Sequence, residues 1–457
     1  MASNGGLFVP EKLPEISDAE MSEMLEAGFP ERTANILKKF FTDLDEGGIL
    51  SSLEEAYSHF EGDDPAPLVR VDDGVYMLEL FHGPTVCSKD MAIAPLPYIL
   101  NKSSNGKINI VCATSGDLGK SVLECFKDRD DFRVLVFYPN EGLSKMQKLQ
   151  IVTQEGENLD VVAVKGNFDD CQRAVKKALA GGAPFACANS LNFASFAPRI
   201  AYYFSAYLDL LSSEQIEKGE EIDFYIPGGN LGDVVACYYA KLMGLPARKI
   251  HIATNENNGL VSFFKTGVFE KAREVVKTTS PSMDIARPSE LERLIFELSG
   301  RDTRITAKRM ASLSAEGAYS LTENELNKLN QTFNCGSANE ETCVEAMYDV
   351  FVDTGYTMDT CTGCAMKVAH DWYEKNKKDE TKAVIVAIDS PYKFPQDVLY
   401  AVTGNDVKDS FKGVKRLHDA TAMAVPKCIK DLRDKPVIFT KVIDKKSIPD
   451  EIAEFLK

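Results

Sequence analysis

Three turns in this sequence carry residue types suited to chemistry. Thr114-Ser-Gly-Asp-Leu-Gly119 follows the apolar run Ile108–Ala113, and Pro227-Gly-Gly-Asn-Leu-Gly-Asp233 follows Phe224–Ile226. Glycine permits close backbone approach, and a helix that starts directly after such a turn aims its N–H groups and positive dipole end into it. Each turn is therefore a place for a carboxylate or a phosphate, and the second, richer in glycine, is the better phosphate cradle. Glycine turns between strand and helix are also common structural devices, so neither decides a function alone. The third turn is Phe81-His-Gly-Pro-Thr-Val-Cys-Ser-Lys-Asp90. A loop lysine is usually a solvated surface residue. To act as a nucleophile it needs a desolvated or charge-biased setting that frees the neutral amine.

The elements around these turns alternate. Ile108–Ala113, Arg133–Tyr138 and Leu159–Val164 read as buried strands, interleaved with a helix from about Lys120, a helix opened by the capping box Ser144-Lys-Met-Gln147, and a helix over Asp169–Ala180. The rhythm resumes with strand Phe224–Ile226, helix Asp233–Met243 and strand Lys249–Thr254, then a helix capped by Ser289-Glu-Leu-Glu292, helix Asn339–Thr354 and strand Ala383–Ile388. The first part is helical in pattern over Asp18–Gly28, Pro30–Leu44 and Ser52–Phe60. The fold class expected is α/β with mainly parallel sheets. The division expected is an N-terminal helical extension (1–78), a large domain in two parts (79–106 and 190–457), and a small α/β domain (107–189). Ligands of such folds sit at the carboxyl ends of strands, where these glycine turns lie.

Composition excludes several partners. A net charge of −17 argues against nucleic-acid and anionic-membrane surfaces, which reward Lys and Arg. No apolar run approaches a membrane span, and the N-terminus lacks the regions of a signal peptide. The 11 cysteines are odd in number and form no small secreted framework, which predicts a reducing cytoplasm. The expected partner is a small molecule, and the expected state a monomer or homodimer. Cys361 and Cys364 form a C-x-x-C, but no second pair or spaced His pair completes a zinc site, so no metal is expected and the two read as packing residues. His82 reads as an orienting or packing residue of the lysine loop.

The lysine segment resembles the F-H-G-P-T-x-A-F-K-D signature of the threonine synthase family, in which the lysine binds pyridoxal phosphate (PLP). The similarity continues in order: Asn4-Gly-Gly-Leu-Phe-Val-Pro10, Ala113-Thr-Ser-Gly-Asp117, Gly166-Asn-Phe-Asp-Asp-Cys-Gln172, Asn189-Ser-Leu-Asn192, Gly229-Asn-Leu-Gly-Asp233, Ile252-Ala-Thr-Asn-Glu-Asn257, Ser280–Asp284 and Lys393-Phe-Pro395. So many ordered matches do not arise by chance.

The resemblance implies PLP fold type II and a set of roles. Lys89 would hold PLP as a Schiff base and shuttle protons at the substrate. Gly228, Gly229, Asn230, Leu231, Gly232 and Asp233 would hold the cofactor phosphate. Ser115 and Gly116 would grip the substrate carboxylate, with Asp117 near the cofactor ring, and Asn189 and Ser190 would bind substrate phosphate. Thr362, within Asp359-Thr-Cys-Thr-Gly-Cys364, would face the ring nitrogen. The implied substrate is an amino acid, O-phospho-L-homoserine, and the implied reaction yields threonine and phosphate. Four departures stand out. The chain starts at the G-G-L-x-V-P segment, without the initial strand region usually found before it. Cys87 and Ser88 replace Ala and Phe, Leu118 replaces Thr, and Ser195 replaces Arg. The last two are groups the family uses for substrate phosphate, and losing an Arg fork removes a charge-assisted contact. Lys120 and Arg199 are the candidates to compensate. A second reading is therefore a PLP lyase or replacement enzyme acting on another amino acid.

Overall fold

The computed structural model describes residue 2 and residues 5–104, 106–271 and 274–457; Asn4, part of the first matching segment, lies outside them. Among the described residues the strands are β1 (Leu68–Asp72), β2 (Val75–Glu79), β3 (Ile108–Ala113), β4 (Phe132–Pro139), β5 (Leu159–Lys165), β6 (Ile222–Pro227), β7 (Ala247–Thr254), β8 (Val268–Glu270), β9 (Ala318–Ser320), β10 (Phe333–Ser337), β11 (Ala383–Ala387) and β12 (Val442–Asp444). They form a six-stranded sheet in the order β1-β2-β11-β6-β7-β10, a four-stranded sheet in the order β12-β5-β4-β3, and the ribbon β8-β9. The four-stranded sheet is parallel throughout, and in the larger sheet only the β1–β2 pair is antiparallel.

The smaller sheet shows why its three central strands are nearly continuous apolar runs, with Asn109, Arg133 and Asp160 at their second positions. Successive side chains point to opposite faces, and both faces are covered. Ile110, Cys112, Val134, Val136 and Val161 pack with Val122, Leu123, Phe126 and Ile151 of the helices Asp117–Phe126 and Lys145–Val152. Their neighbours Val111, Ala113, Leu135, Phe137 and Val162 pack with Cys171 and Val175 of the helix Phe168–Ala180.

Two segments go elsewhere than their local pattern suggests. Residues 1–78 contain the helices Asp18–Glu23, Phe29–Leu37 and Glu46–Tyr57, but from Leu68 the chain joins the larger sheet, β2 pairing with β11 in parallel register. At the other end β12 pairs with β5, and Ile448, Ile452 and Phe455 close the second apolar face of the smaller sheet. The C-terminus thus completes the smaller lobe, which left a strand edge and an apolar face to cover. The Asp117 helix begins three residues earlier than the pattern suggests, directly on the glycine turn. The Ser144–Gln147 capping box forms. The Ser289–Glu292 box does not. The Ser289 amide donates to Asn230 Oδ1, Glu292 accepts from the Leu7 amide and from Lys176, and the helix starts at Leu291. No helix of the described residues is long and apolar enough to cross a membrane.

Candidate active site

Lys89 opens the short helix Lys89–Ile93 at the end of a loop that is tightly tied down. Asp90 accepts from the Thr85 amide (2.8 Å) and hydroxyl (2.6 Å), and the Ser88 amide donates to Ile388 O (2.7 Å) at the carboxyl end of β11. His82 pairs with Glu79 (2.7 Å) and stacks on Phe81, an orienting position at the foot of the loop. The Lys89 side chain points inward. Its Nζ donates to Ser88 Oγ (3.1 Å) and Asp233 Oδ2 (3.3 Å), with 22% of the side chain exposed.

Asp233 belongs to the first turn of the helix Gly232–Leu242, which leaves the glycine turn after β6. Arg199 Nη1 (2.7 Å) and the Tyr202 hydroxyl reach Asp233 Oδ1, and the Tyr203 hydroxyl donates to its carbonyl (2.8 Å). Burial alone would raise its pKa, but Arg199 and then Lys89 override it and hold the carboxyl well below the usual range. The turn itself is closely folded. The Gly228 amide donates to Ala253 O and the Leu231 amide to Gly228 O, both at 2.7 Å. Gly229 has φ +45° and Leu231 φ 63°. A Cβ on Gly228 would lie 2.9 Å from Ala253 O. Among the described residues no acceptor meets the amides of Gly229, Asn230, Gly232 or Asp233, so the turn is a row of free donors at a helix N-terminus.

The remaining expected residues surround this pair. Asn230 ties the turn to Ser190 (3.4 Å), Asn189 donates to Gln172 (3.0 Å), and Arg293 donates to Ser190 O (2.7 Å). In the other glycine turn, Thr114 Oγ1 accepts from the Gly116 (2.9 Å) and Gly119 (2.8 Å) amides, with Gly116 at φ 146° and Ser115 partly exposed. Asp117 is buried and committed: it pairs with Lys393 and accepts from Ser282 Oγ (2.7 Å) and Gln147 Nε2 (2.8 Å). Burial opposes its charge, yet Lys393 holds its pKa low. Thr362 lies fully buried in the helix Thr360–Lys375, its hydroxyl donating to the helix cap Asp359. Cys361 and Cys364 are packed in the same first turns, at 0% and 1% exposure.

Sequence reasoning missed several members of this site. Lys393 and Ser282 sat within matching segments but were given no role. Asp389, just past β11, carried no signal; it lies beside Asp117, Lys393, Asp359 and Lys89, and burial first, then Asp117, pushes its carboxyl well up. The compensation expected from Lys120 and Arg199 does not follow. Lys120 is spent on Glu124 (2.7 Å) and Gln154, and Arg199 on Asp233. Ser195 is fully buried, its hydroxyl closing the Asn189–Asn192 turn.

Comparison with known proteins fits this geometry. Residues 61–389 match the family described as Pyridoxal-phosphate dependent enzyme, and residues 1–57 match Threonine synthase N terminus. The chain belongs to the threonine synthase family. It is 32% identical to human Threonine synthase-like 1 over 92% of this chain, and spans 60% of that protein's length. It is 31% identical to threonine synthase of Pseudomonas aeruginosa, over 88% of this chain and 86% of that one. The PLP-bound threonine synthase structure from Brucella melitensis superposes with a TM-score of 0.84 at 30% identity, covering 99% and 94% of the two chains. Threonine synthase from yeast gives 0.85 at 26%, covering 100% and 94%. The fold is PLP fold type II and the cofactor of the family is pyridoxal 5′-phosphate. The donor row of the glycine turn and the inward lysine beside it suit a phosphate and an aldehyde on one small ring.

Proposed function

We propose that this chain converts O-phospho-L-homoserine and water to L-threonine and phosphate, by γ-elimination of phosphate and β-addition of water. The observation that supports it most is the placement of Lys89 Nζ 3.3 Å from Asp233, at the head of the free amides of the glycine turn. When bound, the cofactor supplies an electron sink. In this reading Lys89 holds it covalently. The free amides of Gly229, Asn230, Gly232 and Asp233 bind its phosphate, Gly228 and Leu231 shaping the turn through their own amide bonds, and Thr362 meets its ring nitrogen. Ser115 and Gly116 take the substrate carboxylate, and Asn189 and Ser190 its phosphate. Lys89, once released by the substrate amine, carries protons on Nζ between substrate Cα and Cβ, and Asp233 steadies its ammonium form between transfers. Asp117, locked by Lys393, fixes the carboxylate turn in place. The free state of every cysteine supports a cytoplasmic setting, and a monomer or homodimer remains part of the reading.

A second reading is favoured by Ser195 and by the commitment of Lys120 and Arg199 to acidic partners. With those cations spent, the site suits a different leaving group on an amino acid, under the same lysine chemistry. One experiment separates the two. Purified protein receives O-phospho-L-homoserine, with phosphate and threonine scored separately, and borohydride-reduced protein is mapped for its cofactor label. Threonine and phosphate in equal amounts, with the label on Lys89, support the first reading. Phosphate without threonine, or turnover only of another amino acid, supports the second, and a label elsewhere overturns both.

A further inference from the structure

Asp389 stands within reach of two other buried carboxyls. One of its carboxyl oxygens lies within 4.8 Å of Asp117, and one within 4.8 Å of Asp359. All three residues are buried. Donors are divided unequally among them. Asp117 has Lys393, Gln147 Nε2 (2.8 Å) and Ser282 Oγ (2.7 Å). Asp359 has the Cys361 (2.8 Å) and Thr362 (3.2 Å) amides, the Thr362 hydroxyl and the Asp389 amide. The Asp389 carboxyl has longer contacts to two donors that Asp117 already holds, Ser282 Oγ at 3.4 Å and Lys393 Nζ at 3.9 Å. Like charges in one buried site do not all ionise, and the proton stays where the charge is least compensated. Burial and then Asp117 push the Asp389 carboxyl up, Asp359 adds to the push, and Lys393 and Lys89 oppose it. The thiols of Cys87 and Cys361 also face this carboxyl, and burial pushes both up, so they bring no charge.

We propose that Asp389 is a positioning residue that works as a neutral acid, leaving Lys393 and Ser282 to Asp117 and so keeping the glycine turn after β3 pinned to the segment after β11. Ionised, Asp389 would compete for the same two donors and repel the Asp117 carboxylate at short range. The proton leaves for solvent as pH rises. The pin is therefore whole at neutral pH and loosens on the alkaline side. The turn it holds carries Ser115 and Gly116. In the reading of those two as the grip on the substrate carboxylate, Asp389 sets the pH above which substrate is held less well. The proton on Asp389 does not depend on that reading.

The test pairs two measurements on the full-length apoprotein. Infrared spectroscopy separates the carbonyl band of a protonated carboxyl from the bands of ionised carboxylates. Amide hydrogen exchange follows the peptide carrying Gly116 and Gly119, whose amides bond within the turn. Wild type is expected to show a protonated-carboxyl band at pH 7 that Asp389→Asn lacks and Asp359→Asn keeps. As pH is raised the band fades. Over the same range exchange at the turn, corrected for its ordinary hydroxide dependence, quickens by about tenfold in wild type and not in Asp389→Asn, as expected for losing one hydrogen bond to a charged group. No such band in wild type at pH 7 overturns the proposal whether or not the variants fold, as does a band that Asp389→Asn keeps. A band that persists until the protein unfolds, or exchange that does not follow its fading, overturns the pinning role. Neither measurement involves substrate, so failure of the carboxylate-grip reading would leave both results standing.

Discussion

Lys393 and Asp117, remote in the chain, form an ion pair in the interior, with Lys393 at 0% exposure and Asp117 at 4%. Each enforces the charge of the other: burial works against the Lys393 ammonium, but Asp117 holds its pKa above the ordinary value. Lys393 also lies 3.9 Å from Asp389. The pair pins the carboxylate turn after β3 to the segment after β11, and so joins the two lobes at the site. Removing one partner strands a buried charge, at a cost of about 3–5 kcal/mol. Lys393→Met is expected to lose that much in urea unfolding, and Lys393→Met with Asp117→Asn to recover a clear part of it. Additive losses in the double variant would show that the two side chains do not act as a pair.

The glycine turn makes a second prediction. Gly229 at φ +45° sits where a β-branched residue is strained, and its added Cβ would also come within 3.3 Å of Ser282 O. Strain of about 1–2 kcal/mol at one left-handed residue corresponds to about tenfold in binding. Gly229→Val is expected to weaken PLP affinity by that order, measured by titrating apoprotein with the cofactor. Unchanged affinity would remove the turn from the cofactor site.

Substrate-phosphate recognition can be read through Ser195. A hydrogen bond to a charged group is worth about 1.5–3 kcal/mol, so restoring an Arg fork corresponds to roughly tenfold to a hundredfold in binding. Steady-state kinetics should show KM for O-phosphohomoserine falling by that range in Ser195→Arg, while O-acetyl and O-succinyl homoserine are unaffected. Strong preference of wild type for the phosphate ester, with no gain from the Arg, would leave plain threonine synthase.

Asp359 gives a pH dependence of known sign. Burial pushes its pKa from 3.8 to about 6 in the cofactor-free protein, with Thr362 and the helix amides partly opposing. The native state then holds this proton to higher pH than the unfolded chain. Its contribution to stability therefore falls as pH rises from about 4 to 6 and is constant above. Asp389 and Asp117 face the same space, so the comparison must be made against Asp359→Asn, in which this part of the slope is expected to vanish. Urea unfolding of both apoproteins from pH 4 to pH 7 measures it, and equal slopes would refute the assignment.

Local pattern was enough for much of the architecture. Strand β3 was legible to the residue, because both faces of the sheet are covered and every side chain of Ile108–Ala113 except Asn109, near its start, is apolar. The Ser144 capping box was legible because its two bonds are made within four residues. The same motif at Ser289 failed because partners from remote segments took both groups first. Lys89 and the glycine turn were marked by residue type and order. What they touch was not.

The sequence by itself determined which glycine turns lead from strand into helix, which segments alternate as strand and helix, and which loop carries the candidate lysine. These follow from interactions within a few residues. Only the tertiary structure decided that Asp233 belongs to Arg199 and Lys89, that Asp117 belongs to Lys393, and that Asp389 is held among four charged neighbours. It also decided that the C-terminal strand completes the smaller sheet. The physical reason is one of range. A hydrogen-bond pattern or an apolar period is written in neighbouring residues, whereas the charge state of a buried carboxyl depends on which distant cation the fold brings beside it.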